Sequence, residues 1–174
     1  LNTLKKYDRY NNKYDYVLND YLGDIISKNR ISKEVIEVLS DEEQANLDYG
    51  NHLHEIMEAL DFNNPDLSNL GEDDKLIIEN VLSNELFKNI KNAKTYHEHE
   101  FYKIINDKSY HGIIDLLVIY DDHVDIIDYK LKNIYHKEYD RQLNIYRDYI
   151  KEIIDLPINC YLLSLLENKI REVK

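Results

Sequence analysis

His-Gly-Ile-Ile-Asp-Leu-Leu-Val-Ile-Tyr-Asp-Asp-His-Val-Asp-Ile-Ile-Asp-Tyr-Lys, residues 111–130, is the stretch of this chain that decides its fold. Two apolar runs flank a polar Asp-Asp-His turn, a pattern typical of a β-hairpin. Asp115 interrupts the first run, and Asp128 and Lys130 end the second. Because side chains alternate along a strand, we predict that Asp128 and Lys130 project from one face and Tyr129 from the other.

The charged residues of this hairpin predict a site for a divalent metal ion and a phosphodiester. A charged side chain in a buried hairpin is costly unless it is paired or binds a metal ion. Asp115 and Asp128 supply the oxygen ligands that Mg²⁺ prefers, and the backbone carbonyl of Tyr129 offers a further one. Lys130 would orient or deprotonate the attacking water and offset charge in the transition state. We therefore predict a metal-dependent nuclease; the plainer alternative is a buried Asp–Lys ion pair.

The elements around the hairpin predict an α/β domain with a central mixed sheet flanked by helices. Capping residues and apolar periodicity indicate three helices in the core. These run from Ser40 to about Leu60, from Asp73 or Asp74 to Ile90, and over 138–155. Four strands are expected, at 97–105, 110–120, 123–131 and 158–166. We expect an N-terminal helical extension over 1–40 and a core domain over 41–174.

The charge distribution constrains any nucleic-acid partner. The chain has 22 Lys and Arg against 34 Asp and Glu, a net charge of −12, whereas attraction to phosphate normally needs basic residues. The segment 129–151 is the exception, with six basic and three acidic residues. Its Lys132 and Arg141 are candidate DNA contacts. We expect a domain that receives its substrate from a neighbour and has little DNA affinity alone.

The composition also excludes some classes of protein. The one cysteine, Cys160, can form neither an intrachain disulfide nor a four-cysteine metal cluster. No apolar run approaches the ~18 residues of a membrane span, and the N-terminus lacks the apolar core of a secretory signal. We therefore expect a cytoplasmic protein with no membrane partner. Because the chain begins at Leu1 and its only methionine is Met57, we expect it to be a segment of a longer protein.

Five further residues are candidates for the same site, although each could be an ordinary core or surface residue. His54 flanks the apolar stripe of its helix. Glu98 and Glu100 share one face of their predicted strand, and either could supply a carboxylate. Gln142 and Tyr146 lie one turn apart on the last helix, so they would present together just after the hairpin.

A zinc-binding module is a competing interpretation. His97, His99 and His111 fall on neighbouring predicted strands, and imidazole suits zinc. No cysteine pair accompanies these histidines, so exposed residues beside a turn are the simpler explanation.

Five short motifs follow one another along the chain: Gly50-x-x-x-His54, Glu98-x-x-Phe101, Gly112-x-x-Asp115, Asp128-Tyr-Lys130 and Gln142-x-x-x-Tyr146. Together and in this order they resemble the RecB/AddA-type nuclease domain of the PD-(D/E)XK superfamily, over about residues 40–166. The hairpin and the Gln-x-x-x-Tyr motif are specific only in combination. The family's usual Glu-x-Pro-Phe reads Glu-His-Glu-Phe here, which leaves open whether Glu98 or Glu100 is the site glutamate.

The resemblance implies a restriction-endonuclease-like core and a set of residue roles. The implied metal ligands for Mg²⁺ or Mn²⁺ are His54, Asp115 and Asp128, and the residues expected to act in catalysis are Asp115, Asp128, Lys130 and Glu98. Gln142 and Tyr146 would border the DNA path and support the site.

The resemblance also implies partners. Such domains usually sit at the C-terminus of a helicase that feeds them single strands during double-strand-break repair and recombination. We therefore expect exonucleolytic hydrolysis of DNA, with a helicase domain in the same polypeptide and a second, AddB-like subunit. Cys160 alone cannot hold the iron–sulfur cluster of AddB-type and CRISPR-associated relatives, so no such cluster is expected. The alternative is a catalytically inactive scaffold of the same fold that channels DNA or contacts a subunit.

Overall fold

The computed structural model describes residues 41–105 and 108–174, which belong to one compact unit of the chain, Ser40–Lys174. The helical extension expected over 1–40 lies outside the described residues. The described elements are α1 (Asp41–Ala59), α2 (Glu72–Leu82), two 3₁₀ turns (Glu85–Phe87 and Ile90–Asn92), β1 (Lys94–Ile105), β2 (Lys108–Ile119), β3 (Val124–Lys130), α3 (Lys137–Lys151), β4 (Ile158–Ser164) and β5 (Lys169–Glu172). None of these helices is long and apolar enough to cross a lipid bilayer.

The strands form one mixed sheet in the spatial order β1-β2-β3-β4-β5. The pairs β1–β2, β2–β3 and β4–β5 are antiparallel, whereas β3 and β4 are parallel. Parallel neighbours need a crossover connection, and α3 provides it. The predicted mixed α/β fold is therefore confirmed.

Two apolar clusters pack on the sheet. Helices α1 and α2 contribute Leu53 and Ile78 to one cluster, which includes Ile127 of β3. Helix α3 contributes Leu143 to the other, which includes Ile126. Successive strand residues point to opposite faces of a sheet. The cluster with Ile126 therefore lies on one face of the sheet and the cluster with Ile127 on the other. Burial of a side chain of this size stabilises the fold by about 1.5–3 kcal/mol, so both helical layers are held against the strands.

Helix α2 is shorter than the sequence pattern predicts. It ends at Leu82 instead of continuing to Ile90. The Asn84 side chain accepts a hydrogen bond from the backbone N–H of Leu86, at 3.2 Å, and begins the separate 3₁₀ turn Glu85–Phe87. An asparagine that caps a new turn competes with helix continuation, although the apolar spacing runs on.

The C-terminal part of the chain also differs from the prediction. Helix α3 ends at Lys151 rather than near residue 155. Strand β5 was not predicted, because Lys169–Glu172 is short and polar except for Ile170, which is itself partly exposed. Pairing with β4, and not an alternating pattern, defines this strand.

Candidate functional site

The candidate site begins at an irregular point of β1. Glu98 has a φ of 48°, in the left-handed region that costs a non-glycine residue about 1–2 kcal/mol. His97 stacks on Phe62, in the α1–α2 cluster, with ring centroids 5.4 Å apart. His99 instead approaches Tyr149 of α3, with 3.4 Å from Nε2 to the hydroxyl oxygen. Residues two apart in a strand normally point to the same face. In β1 they do not on either side of Glu98, so the strand exchanges its faces there: side chains that would point to one face of the sheet point to the other.

Strand β2 makes the same exchange at Asp115. Ile114 packs in the α3 cluster and Leu116 in the α1–α2 cluster, although they are two residues apart. The β1–β2 ladder pairs His97 with Leu116 and His99 with Ile114. Glu98 and Asp115 occupy the position between these two pairs, where the ladder is interrupted. The two carboxylates therefore lie where neither strand has a regular face.

Strands β2 and β3 separate beside Asp115. Their register ends at the pair Leu116 and Ile127. Beyond that pair, the backbone N–H of Tyr129 donates to Oδ2 of Asp115 at 2.7 Å. The Asp115 carboxylate thus takes the place of a backbone acceptor in the β2–β3 ladder, and the hydrogen bond that it accepts is charge-assisted. This bond fixes Asp115, which is 3% exposed, at the opening between the strands.

His54, Glu98 and Asp115 form a cluster that fits a divalent cation. One ligand atom from each lies within 4.8 Å of the other two, and Nδ1 of His54 lies 3.7 Å from Oδ2 of Asp115. Two nearby carboxylates repel one another, and a cation would neutralise them. Within residues 41–105 and 108–174, this is the one such group of three. Carboxylate oxygens and an imidazole nitrogen are common ligands of divalent metal ions.

The geometry places Glu98, and not Glu100, in the cluster. Glu100 is exposed, and its Oε1 lies 2.7 Å from Nε2 of His111. The hydroxyl of Tyr102 donates to the same oxygen at 3.2 Å. The two glutamates were expected to share a face, but the backbone turn at Glu98 takes them to different partners.

The three histidines of the zinc interpretation do not converge. His97 stacks on Phe62, His99 approaches Tyr149, and His111 binds Glu100. The same exchange of faces at residue 98 separates His97 from His99, which a regular strand would have kept together.

Asp128 and Lys130 form a buried ion pair beside the cluster. Nζ of Lys130 lies 2.5 Å from Oδ2 of Asp128, and Asp128 is 1% exposed. The ammonium also lies over the ring of Tyr139, 4.6 Å from its centroid. Tyr129 packs in the α1–α2 cluster, so the alternation predicted for residues 128–130 is observed. The ion pair of the plainer interpretation thus exists, and Asp115, one of the three candidate ligands, lies close enough to act on the charge of Lys130.

The environment of Lys130 keeps it charged. Burial lowers the pKa of Lys130, but the carboxylates of Asp128 and Asp115 raise it more, so the pKa lies above its usual value. This protonated state suits orientation of water with charge compensation. Deprotonation of water, the other role expected for Lys130, stays a prediction.

Gln142 and Tyr146 act together on α3. Nε2 of Gln142 donates to the Tyr146 hydroxyl at 2.6 Å. Burial raises the pKa of Tyr146 well above its usual value, and the charges of Asp128 and Asp115 raise it further, so the phenol lies near the carboxylates. A Cβ at Gly112 would lie 2.5 Å from the ring of Phe101 and 2.9 Å from Tyr146, so only glycine fits there.

The other expected roles stay predictions. Lys132 and Arg141 are exposed, just after β3 and on α3 respectively. DNA contact by these side chains, and coordination of a metal ion by Asp128 or by the Tyr129 carbonyl, are kept as predictions. The assigned cluster has Glu98 as its second carboxylate, whereas Asp128 holds Lys130.

Two buried polar groups were not anticipated from the sequence. Asp125, near the start of β3, is 6% exposed. The Tyr129 hydroxyl is enclosed in the core, with no hydrogen-bond partner in the described part of the protein. Asp125 sits in a buried strand like Asp128, which is the one signal that could have drawn attention to it.

Comparison with known proteins adds little. No protein-family model matches the chain, and no curated protein matches its sequence. Among solved structures, the chain is similar to the crystal structure of protein VC1899 from Vibrio cholerae, with 13% identity and a TM-score of 0.33. The match covers 88% of this chain and 42% of that one, so the chain spans less than half of that protein. A likeness of this size supports no inference.

Proposed function

We propose that this domain is a Mg²⁺- or Mn²⁺-dependent deoxyribonuclease that hydrolyses phosphodiester bonds, acting exonucleolytically on single strands. The observation that carries the proposal is the convergence of His54, Glu98 and Asp115, with ligand atoms within 4.8 Å of one another, beside the Asp128–Lys130 ion pair. A group with two carboxylates, an imidazole and a fixed ammonium matches the needs of phosphodiester hydrolysis.

Each residue has a role that follows from its position. A divalent cation bound here would polarise the phosphate and lower the pKa of water. His54, Glu98 and Asp115 hold the cation, and the Tyr129 N–H keeps the Asp115 carboxylate in place. Lys130, charged and buried, compensates negative charge on the phosphate. Asp128 fixes the direction of the Lys130 ammonium.

The proposed partner is DNA delivered by a helicase in a RecB/AddA-like assembly for double-strand-break repair. A net charge of −12 gives the domain little general attraction to phosphate, so delivery by a neighbour suits it. The exposed Lys132 and Arg141, with the half-buried Gln142, are the proposed contacts along the DNA path.

The test is cleavage of end-labelled single-stranded DNA in Mg²⁺, Mn²⁺ or EDTA, by the wild type and two matched variants. Asp128→Asn alters the site, whereas Asp125→Asn alters a buried aspartate on the same strand that Asn159 satisfies. Burial raises the pKa of Asp125. Its charged form is therefore disfavoured by folding at neutral pH, and a neutral amide there should cost no stability.

We expect metal-dependent cleavage by the wild type and by Asp125→Asn, and cleavage at the EDTA background by Asp128→Asn. Equal loss in both variants would show that buried charge on β3 matters only for folding. If the wild type neither cleaves DNA nor binds Mn²⁺ in calorimetry, the scaffold function replaces the nuclease.

A further inference from the structure

The side chain of Tyr129 has a polar group that the roles above do not use. The residue is 2% exposed, and no group in the described part of the chain forms a hydrogen bond with its hydroxyl. A buried hydroxyl without a partner costs about 1–3 kcal/mol, and native proteins usually satisfy such groups with water or a ligand. The hydroxyl therefore requires a partner, either a water molecule or a ligand.

Tyr129 interacts with the proposed cation cluster through both its ring and its backbone. Its ring packs edge-on against His54, with centroids 5.7 Å apart and an interplanar angle of 75°. Its backbone N–H donates to Asp115. Burial raises the pKa of the Tyr129 phenol well above its usual value, and the charges of Asp115 and Glu98 raise it further. All three candidate ligands thus act on this one side chain.

We propose that the Tyr129 hydroxyl is a positioning group of the cation site, hydrogen-bonded to a water molecule that hydrates the bound cation. The inference rests on the proposed cation site but not on cleavage of DNA. Cations of this class keep several waters when the protein supplies few ligands. A neutral phenol can both donate to and accept from such a water, which would satisfy the buried oxygen.

The experiment is Tyr129→Phe, measured by Mn²⁺ titration calorimetry and by thermal unfolding in EDTA. Loss of a group that orients the surroundings of a metal typically lowers affinity about tenfold or more, and we expect a loss of that order. In EDTA the variant should melt at the wild-type temperature or above, because an unsatisfied hydroxyl has been removed. The control is Tyr161→Phe, a half-buried tyrosine of β4 whose hydroxyl lies near Asp125, with wild-type Mn²⁺ affinity expected.

The two measurements separate the inference from its rivals. If an ordinary structural water satisfies the hydroxyl, Tyr129→Phe will melt earlier in EDTA and bind Mn²⁺ normally, which overturns the inference. A wild type that does not bind Mn²⁺ overturns both this inference and the nuclease. Weaker Mn²⁺ binding by the variant supports the inference even where the wild type leaves DNA intact, because the measurement does not depend on cleavage.

Discussion

Two buried aspartates lie three residues apart on β3, in different surroundings. Asp125 is enclosed by paired strands, opposite Val118 of β2 and Asn159 of β4. The amide of Asn159 donates to Oδ1 of Asp125 at 2.8 Å. Burial still raises the pKa of Asp125, against the effect of this hydrogen bond. This carboxylate is held by a hydrogen bond from the neighbouring strand, between two strands that both pair with β3.

Asp128 lies toward the other end of the same strand. Strand β4 still pairs with it, at Leu162, but the register with β2 has already ended at Leu116. Asp115 of β2 lies just beyond that point, and its charge acts together with that of Asp128 on Lys130 and Tyr146. The comparison teaches that burial of an aspartate does not define a site. Strand separation does, because it lets ligands from different elements converge.

Lys130→Met is the change with the largest expected effect at the open end. Cleavage should fall at least about 100-fold, since a charged group acting on the transition state is lost. Mn²⁺ affinity should stay equal or rise, because removal of an ammonium ends its repulsion of a nearby cation. Single-turnover cleavage and calorimetry measure the two effects.

Lys103→Met is the matched control for that change. Nζ of Lys103 lies 3.0 Å from Oε1 of Glu152, in an ion pair with a mostly buried lysine on β1. Cleavage by this variant should be close to wild type. If Lys130→Met instead weakens Mn²⁺ binding and cleavage in proportion, Lys130 supports the fold of the site and does not act in the reaction.

Glu98→Gln tests the site glutamate with a smaller expected effect. Removal of one charged ligand should lower Mn²⁺ affinity about tenfold, by analogy with other losses near a metal. Glu100→Gln, two residues away, should leave the affinity unchanged, because Glu100 binds His111. Calorimetry on both proteins measures the difference. Equal losses, or a larger loss for Glu100→Gln, would contradict the cluster.

The hairpin residues could be found from the sequence, because their signal is local. Asp115, Asp128 and Lys130 interrupt apolar runs, and alternation alone assigns the common face of Asp128 and Lys130. Tyr129 was correctly placed on the opposite face from Lys130. The order of α1–α3 and β1–β4 was recognised for the same reason.

The convergence of Glu98 of β1 with His54 and Asp115 could not be found from the sequence, because it depends on one backbone angle. A regular strand would place His97 with His99, and nothing in Tyr-His-Glu-His signals a positive φ. Glycine, the usual residue there, is absent. The choice between Glu98 and Glu100 therefore stayed open until the three-dimensional arrangement was known.

The backbone strain at Glu98 predicts a small difference in stability, but its direction is specific: glycine should be more stable than alanine at this position. In an ordinary strand, glycine is less stable than alanine by roughly 0.5–1 kcal/mol. At a φ of 48° the order should reverse, since alanine carries the left-handed penalty of about 1–2 kcal/mol and glycine does not. Urea unfolding in EDTA should therefore find Glu98→Gly more stable than Glu98→Ala. The same pair of substitutions at Glu100 should show the ordinary order.

If alanine is the more stable residue at both positions, β1 is regular in solution and does not exchange its faces at Glu98. Glu98 and Asp115 would then no longer meet as described, and the cation cluster would lose its structural basis.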